Sequence, residues 1–511
     1  MHLVTDTGAT TSPLAPGELD LPRWTPFQPS FRRLFYVALA GNVLSKFGAF
    51  LPGMSPDDYF FAFPQVDPSF FTTFVAQGRG LSVPLVQGLA ALGLSLVSIQ
   101  TPALLLAMLT TSLFIAAAIH CVASSTAPRA LPLVAAALAA THPYLSSYFL
   151  FHMATLSLAL AYAVLFLAIW ALSSATLSAR RKFVLCTALL AIWCNSTQLV
   201  LVLFAISGMA WALARGSAAL EQGRGYRAAL RPALFVGGIV VSSGVLYFAI
   251  SMTARQITGI YTSVEYTPNL AHGLGGLLGV EGRLAWGLVG GVRVEDIVPR
   301  GLKIALFGLV AIALGLGARR HRHWGWAGVI VLVAGALVTV LPMAVSWGTH
   351  VPRTFSPLGM VLALSLVLAG NALTAGMGRW IALLLCPFLL VFSLTSSTLF
   401  QQQSLITRWD QRTAAAVYAA AHASGLLTPE RTLRLVSPWP GHGHKLSIYG
   451  SGINESALQN GWAYPGLFAV AVGESVKVDA GDPALCTGYP TWPAPGNMRL
   501  VGDRDVYVCL K

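Results

Sequence analysis

Residues 102–123, PALLLAMLTTSLFIAAAIHCVA, run for 22 positions without an Asp, Glu, Lys or Arg. About 20 mainly apolar residues in a helix reach across the hydrocarbon core of a bilayer, so this stretch reads as a membrane-spanning helix. Working outward from it, comparable stretches lie near 34–53, 129–149, 154–174, 233–253, 302–318, 325–346, 356–375 and 380–400. Between Arg181 and Arg215, apolar runs near 183–194 and 197–214 are divided by Asn195-Ser196-Thr197-Gln198. They predict a broken hairpin of two short helices, tolerable where polar backbone faces protein or a water-filled cavity. With the pair counted as two, the sequence predicts about eleven crossings.

Composition agrees. Of 511 residues, 55% are hydrophobic and 10% charged, and mean hydropathy is +0.67, against roughly a quarter charged in an ordinary soluble domain. A soluble enzyme is excluded. The formal net charge of +13 does not indicate nucleic acid as a partner, because Lys and Arg form short clusters between apolar runs rather than one basic face.

Those clusters predict topology. Arg32-Arg33, Arg180-Arg181-Lys182, the 215–231 loop with its four arginines, Arg319-Arg320-His321-Arg322, and Arg379 all fall on one side of the expected spans, and the positive-inside rule makes that side cytoplasmic. The first 30 residues carry Asp6, Glu18, Asp20 and five prolines, without the basic-then-apolar order of a cleavable signal. The expected layout is a cytoplasmic N-terminal tail at 1–33, a transmembrane domain at 34–400, and an extracytoplasmic tail at 401–511. Loops 54–100, 254–300 and 347–355 face outward, and the lipids of a bacterial inner membrane surround the chain.

In the tail, Pro, Gly and polar residues rise, and β-like runs occur at Thr432–Val436, Val476–Val478 and Val506–Leu510. A small α/β domain is expected, opening with a helix from Asp410 to Ala423 stopped by Gly425. Cys121, Cys186, Cys194 and Cys386 lie in apolar segments, where thiols act as small hydrophobes. Cys486 and Cys509 lie in the tail, and in an oxidising compartment a disulfide between them is open, since spacing does not fix its geometry. No internal repeat supports a transporter built from two similar halves.

The stretch richest in chemistry is Ser55-Pro56-Asp57-Asp58-Tyr59-Phe60, followed by Gln77-Gly78-Arg79-Gly80. Adjacent carboxylates can deprotonate a hydroxyl or bind a cation. Equally, Ser55, Pro56 and Asp58 fit a capping box with proline at the first helical position. The readings are compatible, because a box that uses Asp58 leaves Asp57 free to act as a base.

This order of motifs resembles the serotype-converting glucosyltransferases of bacteriophages and enteric bacteria, which modify O-antigen. The resemblance rests on Asp57-Asp58-Tyr59 and Gly78-Arg79, on Pro143-Tyr144 after a helix, and on Gln198 in the broken hairpin. It continues with Asp410-Gln411 and with the ending from Tyr489-Pro490-Thr491-Trp492-Pro493 to Val506-Tyr507-Val508. It covers nearly the whole chain through short motifs. The chain departs at Phe60 and Phe61, near where that family often has a basic residue, which leaves sugar and acceptor open. The resemblance implies a C-type glycosyltransferase architecture, a polyprenyl-phosphate sugar as donor, and an O-antigen or other polysaccharide acceptor.

The residues offer the parts such a transfer needs. Displacing a phosphate from an anomeric carbon calls for a base at the acceptor hydroxyl and positive charge at the leaving phosphate. Asp57 is the first choice for the base, with Asp58 assisting or capping and Tyr59 among the substrate-binding residues. Arg353 stands where a lipid phosphate would sit, with His350 beside it, and can grip two phosphate oxygens or snorkel to headgroups. Lys46, inside the first apolar stretch, touches the phosphate or only the interface. Arg79 clamps the carboxylates, meets the phosphate, or is a loop residue. Arg255, Arg293 and Arg300 are further cations without a rank. Asn195 and Gln198 hydrogen-bond sugar hydroxyls or satisfy helix ends. His142, His152 and His350 read as structural or interfacial rather than zinc ligands. No cofactor is expected, because two carboxylates alone make a poor metal site. The run Gly273-Leu274-Gly275-Gly276 lacks the lysine of a nucleotide loop. The alternatives are a flippase for lipid-linked sugars and a C-type transferase with mannose or aminoarabinose.

Overall fold

The computed structural model describes residues 29–63, 68–124, 127–259, 297–346, 352–437, 454–494 and 496–510, with Gly279 and Leu288. The chain is mostly helical, with a small sheet near the C-terminus. The long helices α1 (Pro29–Lys46), α4 (Gln100–Val122), α5 (Ala130–Thr141), α7 (His152–Ser173), α8 (Ala179–Cys194) and α9 (Leu199–Glu221) come first. They are followed by α10 (Tyr226–Thr258), α11 (Arg300–Arg320), α12 (Arg322–Ser346), α13 (Leu358–Gly370) and α14 (Ala375–Ala423). Short helices α2 (Pro68–Ala76), α3 (Ser82–Ala91) and α6 (Pro143–Ser146) lie in the connections. The largest packings are α4 on α7, α9 on α10, α12 on α13, and α1 on both α4 and α5.

Among the described residues, eight helical segments are long and apolar enough to cross a membrane, which supports a multi-pass membrane protein. Each of the eleven expected stretches contains a helix, but those at α1, α5 and α8 fall outside the eight. Helix α5 shows why. Its 12 residues reach only about 18 Å, against a hydrocarbon core of about 30 Å. Pro143 forces His142 into an extended conformation (ψ 126°), so the expected 129–149 stretch breaks into α5, α6 and a 3-10 turn at Ser147–Leu150.

Three further expectations change. The hairpin breaks at Asn195–Gln198 as read, yet α9 is a full 23 residues rather than a short helix. The region 54–100 carries α2, α3 and a 3-10 turn at Pro56–Phe61. The tail does not open with its own helix at Asp410: α14 runs unbroken for 49 residues out of the apolar bundle. No Gly or Pro occurs between Pro387 and Gly425, so nothing stops the helix where its composition turns polar. Gly425, at φ +69°, follows its end.

Beyond α14, strands β1 (Thr432–Val436), β2 (Val478–Ala480), β3 (Met498–Val501) and β4 (Asp505–Cys509) form a sheet in the order β2-β1-β4-β3. β1 is parallel to β2 and β4, and β3 is antiparallel to β4. The reading at β1 matches, β2 lies two residues beyond its expected run, and β3 has no β-like signal of its own. Helix α15 (Tyr464–Val472) covers the sheet through Leu467 and Phe468, which pack with Leu433, Val506 and Val508 and with Val417 of α14. A Cys486–Cys509 disulfide ties β4 to the turn at Pro483–Cys486. Of the four other cysteines, Cys121, Cys186 and Cys194 are buried, whereas Cys386 lies on the exposed face of α14.

Candidate functional site

Alternating helix direction gives the bundle two ends. At one, Phe31 meets His120, Asn371 holds the backbone of Val122 and Ser124, and Ser217 donates to the His323 carbonyl. This end carries Arg32, Arg33, Arg129, Arg180, Arg181, Arg319, Arg320, Arg322 and Arg379, all exposed. The opposite end carries the carboxylate pair, a cavity, and a second set of cations that point inward.

The carboxylate pair sits in the Pro56–Phe61 turn, and the capping box read from the sequence is present there. Asp58 is fully buried; its Oδ2 accepts the Ser55 N–H at 2.7 Å and its Oδ1 accepts the Met153 N–H at 2.8 Å. The carboxylate therefore joins the turn to the first residues of α7. Burial pushes the Asp58 carboxyl up to about 7, against the pull of both N–H donors, and the Asp57 charge adds to the rise. His152 Nδ1 lies 3.9 Å from Asp58 Oδ2, and its Nε2 is 2.8 Å from Gln100 Nε2. Asp57 is half-buried, and among the described residues no hydrogen bond or ion pair engages its carboxylate.

The same turn is gripped from the other side by the tail. Met54 donates its N–H to Thr407 Oγ1 at 2.8 Å, and its carbonyl accepts from Gln403 at 2.7 Å. Tyr59 does not face a substrate space. It is 1% exposed within the core formed by α14, α15 and the sheet, with its Oη near Gln411. Gly466 of α15 lies so close that a side-chain carbon there would run into the Tyr59 carbonyl. Asp410 stays within the tail, accepting from Ser456 Oγ at 2.6 Å and from the Ala457 N–H at 2.7 Å.

Met153, whose N–H holds Asp58, lines a cavity open to solvent that encloses about 590 Å³ with its mouth included; neither carboxylate is among its lining residues. Its polar wall is Arg79, Ser82, Tyr148, Ser157, Ser196 and Thr197, and its apolar wall includes Phe74, Val86, Leu96, Met153 and Leu158. Met153 thus borders the cavity with its side chain while its N–H holds Asp58. Of the candidate cations, Arg79 lines this cavity, and Arg353 and Arg255 stand near residues that Arg79 also faces. Arg79 and Arg353 both lie within electrostatic reach of Tyr148, and Arg79 and Arg255 within reach of Tyr247. Arg353 stacks on Phe151 at 4.3 Å. Arg255 donates to the Ala76 carbonyl, and the Nε atoms of Arg79 and Arg255 are buried without a hydrogen-bond partner among the described residues.

Lys46 neither snorkels nor pairs with an acid. It is completely buried, donating to the Ala140 carbonyl and to Ser45 Oγ (3.0 Å), with its Nζ 5.4 Å from the Phe149 ring. A lysine at the last turn of α5 satisfies helix-end carbonyls and the negative end of the helix dipole.

The hairpin apex serves the backbone first. Asn195 donates to the Ala191 carbonyl at 2.9 Å, and its own carbonyl accepts the Leu81 N–H at 3.0 Å. Gln198 donates to the Gln77 carbonyl at 3.1 Å and to Tyr247 Oη at 3.0 Å. These bonds fix the Gln77–Ser82 loop, and so Arg79, over the cavity. Gly78 permits it: at φ +71° it sits against Tyr247 and Ser251, where a side chain would collide. Ser196 and Thr197, not Asn195, are the apex residues that line the cavity.

No family model, curated protein or solved structure matches the chain. His350, Arg293, the run at 273–276 and most of the 254–300 loop lie outside the described residues. Arg300 is exposed at the start of α11. Sequence patterning does not single out Tyr148, Tyr247 or Gln100, and it leaves Arg255 unranked. The one signal it offers for them is polar residues inside or beside apolar runs, and that signal does not tell which of them converge.

Proposed function

We propose that the chain is an inverting glycosyltransferase that moves a hexose, with glucose the first choice, from undecaprenyl phosphate to O-antigen or another surface polysaccharide. The observation that carries this reading is Arg79 in the wall of the cavity, with Arg353 sharing its neighbour Tyr148 and Arg255 its neighbour Tyr247, and with no carboxylate paired to any of the three among the described residues. Uncompensated guanidinium groups beside a partly apolar space favour an anion attached to hydrocarbon, and Arg grips phosphate oxygens in a fixed fork. A free carboxylate, Asp57, stands one residue from the buried Asp58 that borders the same space through Met153.

In this reading Asp57 takes the proton of the acceptor hydroxyl as its oxygen attacks the anomeric carbon. The bond from that carbon to the phosphate oxygen breaks, and the polyprenyl phosphate leaves with its negative charge held by Arg79 and Arg353. Asp58 positions the turn, and the tail, which grips the same turn at Met54 and Tyr59, holds the polymer acceptor near it. The exposed arginines at the opposite end support a cytoplasmic placement of that end by the positive-inside rule, and in this reading the cavity and the tail lie on the periplasmic side of a bacterial inner membrane.

The test is transfer of radiolabelled glucose from undecaprenyl-phosphate glucose to endogenous polysaccharide in membranes carrying the wild type or Asp57→Asn at matched protein level. Transfer by the wild type and its loss in the variant are expected. Full activity of Asp57→Asn removes the base, and absence of transfer by the wild type with every hexose donor tried overturns the enzyme reading in favour of a flippase.

A further inference from the structure

We infer that residues 81–99 are a membrane-interfacial element, lying in the bilayer surface with one face on lipid and the other walling the cavity. Helix α3 has ten residues, which reach about 15 Å and cannot cross a bilayer. Yet no Asp, Glu, Lys or Arg occurs from Gly80 to Pro128, so this connection has the composition of a span at a length that cannot be one.

Its two faces differ. Ser82, Leu85, Val86 and Leu96 line the cavity. On the other side Pro84, Gln87, Gly88 and Ala91 are exposed, with Leu92 at 74% and Leu94 at 37%, so the polar side chain of that helix face is an uncharged amide of the kind an interface accepts. The segment is anchored, since the Leu81 N–H bonds to the Asn195 carbonyl at 3.0 Å and Ser82 Oγ lies 3.4 Å from Ser196 Oγ. Its exposed leucines continue along the chain into Leu105, Leu106 and Leu109, which are exposed near the start of α4, one of the eight segments long and apolar enough to span.

The occupant of that face is therefore the hydrocarbon border of the bilayer. Interfacial helices ordinarily keep a charged face toward water; here the second face is used as cavity wall, with Arg79 just before it. A ligand reaching the cavity past α3 can leave its hydrocarbon chain in lipid while its anionic head meets Arg79. The inference goes beyond the transferase reading and stands on the multi-pass architecture alone.

The test uses the full chain with Cys386→Ser, so that no exposed free thiol remains, and a bimane label at Leu92→Cys or, in a second variant, Leu94→Cys. Proteoliposomes of phosphatidylcholine and phosphatidylglycerol are probed with a nitroxide lipid labelled just below the headgroup and with aqueous iodide. Gln222→Cys, in the exposed turn between α9 and α10, is the water-facing control. The expected result is several-fold stronger quenching by the nitroxide lipid than by iodide at both leucine positions, with the opposite ratio at Gln222. Iodide quenching at 92 and 94 equal to that at 222 overturns the proposal, as does silence to both quenchers, which would place the face against protein.

Discussion

The two ends of the bundle use the same residue types for different duties. At one end most arginines stand exposed, although Arg215 is half-buried over the Trp211 ring, and an ion pair found there, His321 with Glu221 at 3.2 Å, is itself partly exposed. At the other, Lys46 is fully buried on a carbonyl, half-buried Arg353 lies on a ring, and half-buried Arg79 and Arg255 have Nε atoms without a hydrogen-bond partner among the described residues. Exposed cations of the first kind cost little and contribute little to stability. Buried cations without acids are costly unless something negative joins them. The contrast teaches that a count of basic residues does not tell which of them are drawn into the bundle; only their burial does.

The comparison breaks most visibly if both ends respond alike to charge removal. In the proposed transfer, Arg79→Gln should lower the rate by about a hundredfold, the scale of losing one preorganised contact to developing charge, whereas Arg320→Gln should leave it within about twofold. Transfer assays at matched protein level decide it; equal losses would dissolve the distinction.

A second difference is that the tail covers only the site end. Gly466→Ala sets a methyl against the Tyr59 carbonyl and should cost about 1–3 kcal/mol, as overpacking does. Thermal unfolding in detergent reads that loss. Unchanged stability would mean that the tail rides loosely on the Asp57-Asp58 turn.

The Asp58 carboxyl is raised from 3.8 to about 7 by burial, so the folded chain keeps a proton that the unfolded chain has released. Stability from this source is full below the lower value and is lost as pH rises through the upper one. Wild type should therefore fall by a few degrees relative to Asp58→Asn between about pH 5 and about pH 8. The slope, not the baseline, is the readout, because the amide also loses one accepted hydrogen bond. Parallel slopes would show that Asp58 is ionised throughout.

The smallest effect belongs to the exposed end. Arg319→Gln with Arg320→Gln should leave transfer and stability nearly unchanged and at most raise the fraction of chains inserted with altered orientation, measurable by labelling of Gln222→Cys from either side of the membrane.

Several features of the site are legible in the order of residues alone. Ser55-Pro56-Asp57-Asp58 announces a capping box, because three residue types at fixed offsets satisfy one turn of backbone. What the pattern cannot announce is the partner on the far side, the Met153 N–H, which lies 95 residues away along the chain. Tyr59 illustrates the same limit: beside two acids it reads as a binding residue, and only the packing of α15 turns it into core. Asn195 and Gln198 read as donors at a broken hairpin, which they are, but the acceptors turn out to be the chain's own carbonyls.

By itself the sequence determined the membrane character, the segregation of basic clusters and the change of character in the tail, because hydropathy and charge are properties of consecutive residues. Only the tertiary structure decided how far each helix runs, that α14 carries the tail out of the bundle without a break, and which candidate cation, Arg79, enters the wall of the cavity. Those outcomes depend on groups far apart in the chain finding one another, and local composition holds no record of such meetings.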